Sequence, residues 1–399
     1  MADKNRKQIA LDKGTFAKGL LLGAAAGAFY IVSRRLGKGE SPSLVDWVQV
    51  RRMAVQMSQA PPMPAGAKKD LTTRYVDMAR QSEDLISQYT GWHKPGAHEG
   101  VRVFDRVEWI DANIANFRDV FNSVEQLNSR LSGPNTPVTL VLGVANRMLV
   151  SGQMGTMMGY LSKRVLGQYD MALLGKGSPD GGKLYFVEPN IADLEHKLHL
   201  DGEALRLWIS LHEMTHAFQF ECNPWLREYM NGLARRYFET VSFDLANMRA
   251  HGGGLGTMVT RIVGNLLRGM HLTELVMTSE QQRLFRQLQA LMCLVEGYSN
   301  HVMQRVGESI IPGYHRLKAR FDERAKQRTV MDNVVARLIG MDVKMEQYAL
   351  GERFVDYVVN KRGIKFMNLV WTSPVLLPSM EEVRYPEAWI ARAGRWVEE

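Results

Sequence analysis

The segment His212-Glu213-Met214-Thr215-His216 carries the clearest chemistry in this chain. Two histidines four positions apart on a helix share one face, so both imidazoles can reach a single divalent ion. Glu213 lies about 100° round the helix from His212, within reach of a water on that ion. A Zn²⁺ ion lowers the pKa of such a water, and a carboxylate beside it can take the proton as the water attacks a carbonyl. Glu213 is therefore the candidate general base, with His212 and His216 as zinc ligands.

A catalytic zinc commonly takes three protein ligands and keeps one position open. The third ligand is not a nearby histidine six residues on, because Gln219 and Cys222 occupy the positions where a Gly and that His would stand. The alternative is a glutamate from a later helix, and Glu296 fits. It stands in an apolar stretch (Leu291, Met292, Leu294, Val295), where a carboxylate needs a partner. Asn300, four residues on, is the candidate to hydrogen-bond a ligand histidine from behind. His301 lies roughly 140° from the Glu296 face and is ranked as a substrate or oxyanion group rather than a ligand. Cys222 and Cys293 read as buried thiols, with a minor alternative as ligands.

These residues must be positioned by helices. Asp201 is placed to cap a helix that runs to about Cys222 and ends at Asn223-Pro224. Apolar spacing predicts further helices over 46–60, 71–90, 104–131, 138–166, 225–249, 258–267, 279–306 and 332–359. Strands are expected at 168–174 and 184–187, joined as a β-hairpin by a Gly/Ser/Pro/Asp loop. His251 to Gly256 reads as a loop. The Pro- and Trp-rich tail, 371–396, reads as an extended strap. The fold class is therefore mainly α, with a small β-hairpin beside the active-site helix.

The 399 residues carry 45% hydrophobic and 23% charged side chains, a soluble globular balance, and two cysteines, which excludes a disulfide scaffold or cysteine-rich zinc module. The net charge is +8. Residues 1–39 hold eight Lys/Arg against Asp3 and Asp12, so the remainder holds 42 basic against 40 acidic side chains. A body so nearly neutral gives no footprint for nucleic acid. The basic residues of the leader flank an apolar run from Gly19 to Ser33, which at 15 residues reaches only about 22 Å as a helix. Residues 1–44 are read as a separate basic and apolar leader that could anchor the chain at a membrane surface or pack on the body. The expected location is the cytoplasm or a membrane face reached through residues 1–40.

Beyond the zinc motif, the chain resembles the bacterial zincin-like metallopeptidases, some of whose members are labelled as associated with deazaflavin-coenzyme biosynthesis. The resemblance spans roughly residues 45–397. It is carried by Val45-Asp46-Trp47, Asp105-Arg106-Val107-Glu108-Trp109 with Asn113, and Val165 to Asp170. It continues through Val187-Glu188-Pro189-Asn190, the block from Leu207 to Leu226, Glu296-Gly297-Tyr298, Gln347-Tyr348 with Gly351, and Leu377-Pro378. It implies a zincin-like fold over 45–399 and zinc on His212, His216 and Glu296. It also implies a strand beside the active-site helix that pairs with substrate backbone; 168–174 and 184–187 are the candidates. The function expected is zinc-dependent hydrolysis of a peptide or protein, with His301, Tyr298 or Glu213 returning a proton to the leaving amine. The alternative is a metal-binding accessory protein, without peptidase activity, that serves cofactor biosynthesis or a membrane surface. Its mark would be a fourth protein ligand, or a cleft closed by the tail.

Overall fold

The computed structural model describes residue 43 and residues 45–59, 62–131, 137–170, 183–250, 278–326 and 341–398. In chain order the elements are α1 (Trp47–Ser58), α2 (Ala65–Thr90), β1 (Val101–Phe104), α3 (Arg106–Leu131), α4 (Pro137–Leu161), β2 (Gly167–Asp170), β3 (Lys183–Val187), α5 (Glu188–Leu198), α6 (Gly202–Glu221), α7 (Pro224–Ala250), α8 (Ser279–Ile310), α9 (Tyr314–Lys326), α10 (Met341–Arg362) and, after a run of short helical turns, α11 (Pro386–Glu398). The fold is mainly α with one small sheet.

Local chemistry starts the two helices that matter most. Asp201 accepts from the Ala204 amide and opens α6. Thr278 and Gln281 bond reciprocally to each other's backbone and open α8. Both helices then bury long apolar faces. Leu211, Met214 and Phe218 of α6 and Leu294, Val295 and Val302 of α8 share one core with Phe354, Val355 and Val358 of α10. Each such side chain contributes about 1.5–3 kcal/mol when fully buried, so this three-helix layer is the mechanical centre of the body. The α8–α10 crossing is made by glycines. A Cβ on Gly297 would fall 2.2 Å from the Gly351 carbonyl carbon, and one on Gly351 would fall 2.0 Å from the Cys293 carbonyl oxygen. A smaller cluster built on Val50, Ala54, Trp109, Ile110 and Met158 joins α1, α3 and α4.

The sheet has three strands in the order β1-β3-β2. β2 and β3 are antiparallel, with Tyr169 opposite Leu184, while β1 lies parallel to β3 with Val103 opposite Phe186. The expected antiparallel pair is present, and β1 is an addition whose last residue, Phe104, falls at the start of the helix expected over 104–131. Four residues of alternating burial before Asp105 are too short a signal to separate from the helix that Asp105 itself caps. Helices α5 and α9 were also not anticipated.

The tail corrects an expectation. It is not an extended strap: Asn368–Trp371 and Pro374–Leu376 are 3-10 turns, Met380–Arg384 is a short helix, and α11 follows. A capping box between Ser379 and Glu382 starts the short helix. Proline at the first position of α11 is compatible with helix because that amide needs no partner there. The leader, residues 171–174, the helix expected at 258–267, the loop His251 to Gly256 and the start of the helix expected at 332 lie outside the described residues. Among the described residues, no helix is long and apolar enough to cross a membrane.

Candidate metal centre

Helix α6 presents His212 and His216 one turn apart, and α8 crosses it so that Glu296 meets both. The Nε2 atoms of the two histidines are 3.2 Å apart. Glu296 Oε2 is 3.6 Å from His212 Nε2 and 3.9 Å from His216 Nε2. An ion held about 2.0–2.1 Å from each of four tetrahedral ligands keeps those ligand atoms about 3.3 Å apart. Two imidazoles and one carboxylate at this spacing are a donor set that fits such an ion. Among the described residues, no other group of three His, Cys, Asp or Glu side chains converges in this way. The side chains are 22%, 12% and 22% exposed for His212, His216 and Glu296. The cluster is therefore partly open to solvent and not sealed in the core.

Glu213 is buried beside the cluster. Burial pushes its carboxyl up to about 7; Glu296 adds to the rise, while His216 and a backbone amide oppose it. That amide belongs to Tyr169 of β2, whose N–H donates to Glu213 Oε2 at 2.9 Å. Gly167, two residues earlier, lies against the same side chain. A Cβ there would stand 2.6 Å from Glu213 Cγ and 2.8 Å from Oε1. β2 thus grips the glutamate from behind, and only glycine permits the grip. The strand edge expected to receive substrate backbone is filled at Tyr169 by the protein's own helix.

Several of the blocks that carry the family resemblance converge on β2. Trp109 Nε1 donates to Gln168 Oε1 at 2.7 Å, and Asn113 bonds the same amide. Arg106 donates to Asn190, whose own amide donates to the Ser162 and Val165 carbonyls just before β2. Tyr169 stacks on Phe220, and its hydroxyl bonds Glu221 at the end of α6 and receives Arg227 of α7. Residues far apart in sequence hold the strand that holds Glu213.

The other candidates lie elsewhere. His301 is fully buried on the side of α8 that faces α10. Its Nδ1 is 2.5 Å from Asp356 Oδ1 and its Nε2 is 2.7 Å from the Tyr89 hydroxyl. Tyr298 is packed between the Trp92 and Trp371 rings and donates to Asn368 Oδ1 at 2.6 Å. Burial raises its phenol well above the ordinary range. The structure brings neither His301 nor Tyr298 into the metal cluster. Nor is Asn300 behind a ligand: the side chains that reach His216 Nδ1 are Gln219, at 2.9 Å, and Ser299, at 3.1 Å. Ser299 lies three rather than four residues after Glu296, and the crossing of α6 and α8 selects the residue on that flank. The thiols are also placed apart. Cys222 donates to the His93 carbonyl, Cys293 backs onto Gly351, and burial pushes both up to about 11.

Gln219 could have been read from sequence, since it stands one turn after His216 on the same face. Gly167 and Tyr169 could not, because their role exists only through the approach of β2 to α6.

No match is found among the curated proteins. A crystal structure from Chloroflexus aurantiacus, described as "a putative hydrolase with a novel fold", is similar to this chain, with a TM-score of 0.65 and 38% identity over 88% of this chain and 99% of that one. The model of a family described as zincin-like metallopeptidase matches residues 45–390, a span that includes both metal-facing helices and the strand behind Glu213, and the chain belongs to that family.

Proposed function

We propose that the protein is a zinc-dependent hydrolase acting on peptide bonds, with His212, His216 and Glu296 as the metal ligands. The observation that carries this reading is the convergence of three donor atoms within 3.9 Å of one another, beside a buried carboxylate that is not one of them. Bound there, zinc would polarise a carbonyl and acidify a water. The rest is the work of the chain. The Tyr169 amide holds Glu213 through Oε2, and the carboxylate so held accepts a proton from the attacking water. Burial favours the protonated carboxyl that results, so Glu213 retains the proton until the leaving amine needs it. One residue serves both transfers, consistent with the absence of His301 and Tyr298 from the cluster. Gly167 and Tyr169 keep the carboxylate from swinging away between the two.

Among the described residues the cluster has three donors and no fourth, and its partial exposure leaves room for a substrate carbonyl. Both features favour a hydrolase over an accessory protein that has only kept its metal. The test is a paired measurement of zinc content and peptide hydrolysis, with unfolded protein substrates, on the wild type and Glu213→Gln. Stoichiometric zinc in both proteins, with hydrolysis only in the wild type, supports the reading. Equal hydrolysis by the two, or no hydrolysis by the zinc-loaded wild type, overturns it.

A further inference from the structure

Gln219 stands where a shorter, histidine-rich zinc motif would have glycine, and the proposed metal site leaves it without a part. The geometry points to one: we infer that Gln219 is a positioning residue that fixes the tautomer of His216 and ties it to the helix bearing Glu296, so that His216 Nε2 is kept free for a metal ion. The inference rests on the metal-site reading above.

Gln219 is fully buried, and both ends of its amide are engaged. Its Nε2 donates to the Val295 carbonyl at 2.9 Å, and its Oε1 lies 2.9 Å from His216 Nδ1. The reverse orientation would set the amide oxygen against the Val295 oxygen, two acceptors with no hydrogen between them. Val295 therefore decides which way the amide points. The oxygen that faces His216 can only accept, so Nδ1 must carry the hydrogen. Ser299 agrees. Its hydroxyl has the Val295 carbonyl at 3.1 Å and the Gln219 Oε1 at 3.4 Å to donate to, which leaves a lone pair for an Nδ1–H at 3.1 Å. A neutral imidazole protonated at Nδ1 has its lone pair on Nε2, the atom 3.2 Å from His212 Nε2 and 3.9 Å from Glu296 Oε2.

The same bond has a second consequence. Val295 directly precedes Glu296 in α8, while Gln219 follows His216 by one turn in α6. A single amide therefore sets the orientation of one ligand and the distance to the backbone of another. A metal-ligating histidine commonly uses its second nitrogen in this way, and loss of the outer partner costs roughly 10–100-fold in metal affinity. Here the partner also spans the two elements that bring the ligands together.

The experiment combines zinc affinity, by chelator competition, with ¹⁵N-histidine NMR of the metal-free protein, on the wild type, Gln219→Leu and Ser299→Ala. The expected wild-type spectrum shows His216 as the Nδ1–H tautomer. Gln219→Leu should bind zinc about 10–100-fold more weakly and show mixed His216 tautomers. Ser299→Ala, a smaller change that guards against a folding defect in the leucine variant, should weaken zinc by a lesser factor and keep the tautomer. A wild-type His216 protonated at Nε2 overturns the inference, as does wild-type zinc affinity in Gln219→Leu. If Gln219→Leu does not fold, wild-type affinity together with mixed tautomers in Ser299→Ala also overturns it. A wild type that shows the Nδ1–H tautomer but binds no zinc instead overturns the metal-site reading and leaves the tautomer lock standing.

Discussion

Helix α8 carries a histidine–carboxylate assembly on each of two sides, and they are built to opposite ends. Toward α6, Glu296 meets His212 and His216, and three candidate donor atoms lie 3.2–3.9 Å from one another. Toward α10, His301 meets Asp356 and Tyr89, and both of its nitrogens are taken by protein partners at 2.5 and 2.7 Å. The first assembly gathers two imidazole nitrogens and a carboxylate oxygen at a spacing that fits a metal ion. The second is a closed hydrogen-bond chain that joins α2, α8 and α10. The residue types are nearly the same; what separates a ligand set from a structural clasp is whether the second nitrogen is already satisfied. A buried imidazole with two partners is complete, while one held from behind at Nδ1 presents Nε2 to whatever fills the gap.

The comparison can be broken at either assembly. Its largest effect is expected from His216→Ala, which removes a proposed ligand. Zinc content measured by metal analysis should fall to background and hydrolysis with it; retained stoichiometric zinc would mean that the cluster is not the site. Glu213→Gln should come next, with hydrolysis reduced about 10²–10⁴-fold and zinc unchanged, since the proposed mechanism uses this carboxylate as a base and not as a ligand. Gly167→Ala tests the strand that grips it. The new Cβ would stand 2.6 Å from Glu213 Cγ, so the side chain must give way by about 1 Å, and a misplacement of that size near the reacting atoms costs about 10²-fold in rate. Steady-state kinetics should show the loss mainly in kcat, again with zinc retained.

The smallest effect belongs to the clasp. Asp356→Asn keeps the shape and weakens one charge-assisted hydrogen bond to a fully buried imidazole. Asp356 is itself 34% exposed, which screens the pair. A loss of about 1 kcal/mol is expected, read as a lower denaturant midpoint, while zinc affinity and kcat stay at wild-type values. A drop in kcat with normal stability would return His301 to the catalytic machinery and erase the contrast between the two sides.

Much of the fold was legible because its signals are local. The Asp201 cap, the Asn223-Pro224 stop and the apolar spacing between them define α6 to within a residue or two. The paired strands were legible from composition, though β1 was not, since its pairing with β3 depends on a partner some eighty residues away. The tail misled because prolines and tryptophans suggest extended chain, while Pro386 sits at the first position of a helix and Ser379 with Glu382 caps another. Within the site, Glu296 was within reach of sequence reasoning because an isolated carboxylate in an apolar stretch demands a partner. Ser299 in place of Asn300 was not, because both flank the Glu296 face and only the neighbouring helix chooses between them.

By itself, the sequence determined that His212 and His216 would face one way with Glu213 beside them. That follows from helical periodicity, which needs no information beyond a few residues. The tertiary structure alone decided how near Glu296 comes to the two histidines, that His301 is closed into a clasp, and that β2 pins Glu213. Those depend on how α8 crosses α6 and α10, and the crossings are set by buried apolar surfaces and by Gly297 and Gly351 meeting at backbone contact. Contacts of that kind are summed over the whole core, and no short stretch of sequence contains them.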